Sequence, residues 1–141
     1  MRRVLIVANQ TLGGIELQRE IEKRTASGPC EFWVLVPATP VPDLSMVPKG
    51  LGGDDGAAVA EARLERELSR LRDLGVTAEG EIGDPDPLAA IRDAMEHRQV
   101  DEIILATLPQ GVSRWLRQDL VHKVQRRFRL QVTHVVSTAT S

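Results

Sequence analysis

The chain reads as one α/β domain spanning residues 1–141, built on a doubly wound parallel sheet with helices on both faces. Three observations predict this. Five strand-like runs alternate with four stretches of helical periodicity. The runs at 4–8, 32–36 and 103–106 are apolar throughout, the pattern of strands covered on both faces. Turn formers stand between the strand and helix patterns, an order that demands parallel strands joined by right-handed crossovers. A chain of 141 residues buries about two thirds of its unfolded surface without metal or disulfide, and it leaves no room for a second domain.

The first strand is Val-Leu-Ile-Val-Ala at 4–8, and Asn9 through Gly14 supply the turn. Leu17 and Ile21 lie four apart among charged residues, so 15–24 is a helix, ended by Ser27-Gly28-Pro29. The second strand, 32–36, closes at Pro37. Prolines at 40, 42 and 48 and glycines at 50, 52 and 53 then mark the longest irregular segment, of the kind that is functional or mobile. From Ala57 onward, Ala60, Leu64, Leu68 and Leu71 recur every three or four residues, and Gly75 is placed to cap that helix. Residues 76–82 alternate and belong at a sheet edge. Asp86-Pro87 suits an N-cap and first helical residue, leading into Leu88, Ile91 and Met95. After the fourth strand and a loop at 107–111, Leu116, Leu120 and Val124 predict a helix from Ser113 to about Phe128, and 132–136 is the last strand.

Composition excludes several classes. With 42% hydrophobic and 27% charged residues and a mean hydropathy of -0.17, the chain is neither disordered nor a membrane protein. Met1-Arg2-Arg3 leads into only five apolar residues, too few for a signal-peptide core, so a cytoplasmic location is expected. The net charge of -2 supplies no field to attract nucleic acid or anionic lipid. Cys30 stands alone and is expected to be a small buried hydrophobe near Phe32 and Trp33.

In an open parallel sheet, ligands bind beyond the carboxyl ends of the strands, where strand order reverses. The candidate rim is therefore Asn9, Val36, Gly83, Gly111 and Ser113. The run Glu81-Ile82-Gly83-Asp84-Pro85 through Ile91, the strand 101–105, the loop ending in Gly111-Val112-Ser113-Arg114 and the closing strand 131–136 follow one another as in the universal stress protein family, which the chain resembles along most of its length. The resemblance implies a Rossmann-like sheet in the order 3-2-1-4-5 and a homodimer joined near the last strand.

Nucleotide-binding members of that family carry G-2x-G-9x-G-(S/T) after the fourth strand. Anchored on Ser113-Arg114, those glycines fall here on Leu105, Leu108 and Gln118, and the hydroxyl residue falls on Asp119. Side chains obstruct close backbone approach, and a carboxylate repels phosphate. Asn9 stands where such members carry an aspartate for the adenosine part. The expectation is a non-enzymatic stress-linked or regulatory protein with no cofactor and an altered phosphate loop. The alternative is a module that takes ATP, AMP or another small ligand by a nonstandard geometry through Asn9, Gly111, Ser113 and nearby arginines.

Candidate catalysts do not assemble. His97, His122 and His134 fall on different elements without metal-ligand spacing, and Ser113 lacks a nucleophile elbow. Asp84 and Asp86 are accounted for by a turn and a cap, and Asp54-Asp55 by solvation. The arginines and lysine of the last helix scatter around its wheel, so they read as a solvated surface. Trp115, Asp119 and His122 share the face opposite Leu116, Leu120 and Val124, where Trp115 either covers the adjacent loop or joins a contact patch.

Overall fold

The computed structural model describes residues 1–9, 11–38, 55–109 and 119–137, with backbone alone at 55–57. In chain order the elements are β1 (Arg2–Val7), α1 (Ile15–Ser27), β2 (Cys30–Pro37), α2 (Asp55–Asp73), β3 (Thr77–Gly83), α3 (Pro87–His97), β4 (Glu102–Thr107), α4 (Leu120–Phe128) and β5 (Gln131–Val136). All neighbouring strands are parallel, in the order β3-β2-β1-β4-β5. The chain therefore forms the doubly wound α/β sheet expected of it. The proline- and glycine-rich segment at 39–54 lies outside the described residues.

Pleating divides each central strand between two cores. Val4, Ile6 and Ala8 face α1 and α2, where Leu17, Ile21, Leu64 and Leu71 meet them. Leu5 and Val7 face α3 and α4, against Ile91, Leu120 and Val124. Each such side chain taken fully out of water contributes roughly 1.5–3 kcal/mol, so the solidly apolar runs are the strongest part of the fold. The alternating strand β3 is indeed an edge strand, and β5 is the other.

Local signals end the helices where expected. Gly75 has φ +85°, its N–H donates to Arg72 O at 2.9 Å, and Val76 N–H reaches Leu71 O at 3.4 Å, which together close α2. Asp86 caps α3, accepting from Leu88 N–H at 3.1 Å, with Pro87 in the first turn. Cys30 is buried, and its thiol donates to Arg24 O at 3.3 Å.

One expected element is shorter than its periodicity predicts. α4 starts at Leu120, because Asp119 before it has a left-handed backbone at φ 57°. Aspartate tolerates that conformation through local bonding, and here its carboxylate lies 3.0 Å from His122 Nδ1. No helix runs unbroken from Ser113 through this residue, so the single wheel that sets Trp115 opposite Leu120 and Val124 does not hold. Leu120 and Val124 are buried nonetheless. Residues 110–118 lie outside the described residues, and with them Gly111, Ser113, Arg114, Trp115 and Arg117.

At the amino ends of the strands a buried ion cluster ties the two halves together. Glu102, at the start of β4, accepts from Arg24 Nε and, at 3.3 Å, from Arg2 Nη1. Arg24 also donates to Glu20 Oε1 at 3.0 Å and to Thr133 Oγ1 at 3.1 Å, so α1, β4 and β5 meet on one guanidinium. The Arg24 and Glu102 side chains are 9% and 3% exposed, which makes this a buried pair and not a solvated one. Breaking a buried pair strands a charge. Glu102→Ala is expected to cost about 3 kcal/mol, read as a lower urea midpoint with an unchanged slope.

Candidate functional site

The carboxyl ends of β1 and β2 meet at Asn9. The chain leaves β1 through two consecutive tight turns, Leu12 N–H to Asn9 O at 3.2 Å and Gly14 N–H to Thr11 O at 3.0 Å, with Gly13 at φ +84°. These turns bury Asn9 and Thr11 at the start of α1. The Asn9 side-chain N–H donates to Pro37 O at 2.8 Å, and its Oδ1 accepts from Arg63 Nη1 of α2 at 2.7 Å. Pro37 O only accepts and a guanidinium only donates, so the amide orientation is determined. An aspartate here could satisfy Arg63 but would turn a carboxylate toward the Pro37 carbonyl. The amide thus joins the ends of β1, β2 and α2 in a way that the acid cannot.

The expected rim residues do not share one role. Val36 is wholly buried in the core on the α1 and α2 side, so its side chain is packing and not part of a mouth. Gly83 lies at the rim, where its carbonyl accepts from Ala38 N–H at 3.1 Å beside the end of β2. Its lack of a side chain serves packing: a Cβ would stand 2.8 Å from Ala90 Cβ and 2.9 Å from Leu35 Cδ1. Gly111 and Ser113 lie outside the described residues. Asn9, the end of β2 and Gly83 are therefore contiguous, on the β3 side of the strand-order reversal.

That reversal, between β1 and β4, is closed by Thr11, Thr107 and Ser137, which the sequence did not single out, together with His134. Thr11 Oγ1 donates to Ala106 O at 3.2 Å, spanning the two strand ends. Thr107 Oγ1 and His134 Nε2 are 2.7 Å apart, and Ser137 N–H donates to Thr107 O at 2.9 Å. Ser137 is fully buried, and its Oγ has no hydrogen-bond partner among the described residues. It crowds Gly14, at which a Cβ would lie 3.0 Å from Ser137 Oγ. Thr11 and Thr107 are ordinary turn and strand residues in the sequence, and Arg63 reads as one more charge on a helix. Only the fold brings Arg63 to a residue 54 positions away.

Of the positions aligned with the nucleotide loop, Leu105 is wholly buried and Leu108 half-buried. The Asp119 carboxylate is exposed and faces His122. His97, His122 and His134 sit on α3, α4 and β5. Among the described residues no group of three or more His, Cys, Asp or Glu could hold a metal ion, and no helix is long and apolar enough to cross a membrane.

No protein-family model and no curated protein sequence matches the chain. Its structure does have a likeness: it superposes on the crystal structure of a universal stress protein family protein from Arabidopsis thaliana with AMP bound, with a TM-score of 0.67 and 14% sequence identity, covering 99% of this chain and 94% of that one. The fold is that of a universal stress protein.

Desolvation on β5 holds the His134 imidazole below its ordinary pKa of 6.5. A lowered pKa means that the unfolded chain takes up the proton first, so the stability contribution is present above about pH 6.5 and lost as pH falls through the folded value. The expected outcome is a smaller loss of urea midpoint on acidification below pH 6.5 for His134→Gln than for the parent protein.

Proposed function

We propose that this protein is a non-enzymatic, cytoplasmic regulatory protein of the universal stress type, working as a homodimer, whose rim does not take ATP through a glycine loop. The observation that carries the proposal is the Asn9 tie. At the position where nucleotide-binding members place an aspartate for adenosine, both ends of the side chain are engaged within the fold, with Pro37 O and with Arg63. A nucleotide would have to displace these bonds. Gly83, the rim glycine next to it, owes its bareness to Ala90 and Leu35 and not to a phosphate.

The absence of a reaction is part of the proposal and rests on the scatter of the histidines over three elements. The homodimer is supported by the edge strand β5, which among the described residues pairs only with β4 and leaves Val136 41% exposed.

A second reading has its own support, because the similar plant protein holds AMP. In that reading a nucleotide binds by a nonstandard geometry through Asn9, Gly111, Ser113 and nearby arginines.

Calorimetric titration separates the two. With ATP and with AMP, no saturable heat at micromolar affinity is expected, and binding of one nucleotide per chain at that affinity would establish the second reading instead. Sedimentation at tens of micromolar protein is expected to show a dimer, and a monomer alone would remove that part of the proposal.

A further inference from the structure

On the α2 side of the rim, two arginines have no carboxylate ion-pair partner among the described residues. Arg63, Arg66 and Arg70 follow at three- and four-residue steps along one face of α2, and with Glu67 they surround a notch of about 10 Å³ against Leu12 and Gly13. Glu67 is the one acid lining this notch. It is buried, accepts from Gln18 Nε2 at 2.8 Å, and has Arg70 Nη1 at 3.8 Å. Neither Arg63 nor Arg66 makes an ion pair among the described residues, and the hydrogen bond of Arg63 goes to the neutral amide of Asn9.

Arg63 is half-buried while Arg66 is exposed. Burial, and secondarily the charge of Arg66, hold the Arg63 guanidinium below its ordinary basicity. Two like charges are thus kept together beside a glycine turn, and ion pairs among the described residues do not balance them.

We infer that Arg63 and Arg66, with the Leu12–Gly13 turn, form a binding site for a compact phosphate-class anion, seated at the surface of the notch and bridging the two guanidiniums. The notch holds roughly one water-sized body, so the ligand lies across its mouth with much of its surface in solvent. Guanidinium forks match phosphate oxygens and give charge-assisted bonds in this setting. The inference goes beyond the regulatory reading and does not require it, since the site uses α2 and the first turn and not the loop after β4.

The test is titration of sodium pyrophosphate, with inorganic phosphate as a second arm, into the full-length protein at low ionic strength. Saturable one-to-one binding is expected, tighter for pyrophosphate. Arg66→Gln, an exposed change that leaves the Asn9 tie alone, is expected to weaken it about tenfold or more. Arg63→Gln is expected to do the same, and its fold is checked by circular dichroism. Arg127→Gln, on the opposite side of the sheet, changes net charge equally and is expected to leave affinity within about twofold.

Absence of saturation at millimolar pyrophosphate would overturn the site, and so would equal weakening by Arg66→Gln and Arg127→Gln, the mark of diffuse charge attraction. Micromolar AMP binding unaffected by Arg66→Gln would overturn the proposed function while leaving the pyrophosphate result to decide the arginine site.

Discussion

Because parallel strands are joined by crossovers that lay helices over both faces, the central strand β1 has no wet side, and every residue from Val4 to Val7 is buried. That constraint governs the rest of the molecule. It makes β1 and β4 continuously apolar and confines alternating sequence to the edges at β3 and β5. The first two crossovers run toward one edge and the last two toward the other, so the strand ends part between β1 and β4. Polar chemistry on the carboxyl side is gathered where the burial requirement relaxes, just past Val7 and Ala106.

At that rim the fold uses its polar groups on itself. Asn9, Thr11 and Thr107 each bond to a neighbouring strand end or to a residue from another element. Buried polar groups that are satisfied internally strengthen the closure of the rim, and a ligand must replace those bonds to enter. Relative to a glycine-lined phosphate loop, the described half of this rim is built for closure. The charges are distributed differently: at the amino ends Arg24 and Glu102 neutralise each other in the interior, whereas on α2 Arg63 and Arg66 have no acidic partner among the described residues.

Much of the fold was legible in local sequence because its signals act over a few residues. Solid apolar runs marked β1, β2 and β4, Asp86-Pro87 marked the start of α3, and Gly75 marked the end of α2. The reading failed where one residue overrode a period. Leu116, Leu120 and Val124 keep helical spacing, yet the backbone at Asp119 is left-handed and the described helix begins only at Leu120. Periodicity reports which side chains seek the core, not whether the backbone between them is continuous.

The sequence by itself determined the class of the protein, an alternating α/β chain with its loops at one end of a parallel sheet, because burial and turn formation depend on residue type and short spacing. Only the tertiary structure decided what the rim residues do. It turned Val36 into packing, explained Gly83 by its contact with α3, and brought Arg63 to Asn9. Such pairings join residues dozens of positions apart, set by how helices settle on the sheet. No local pattern encodes that distance.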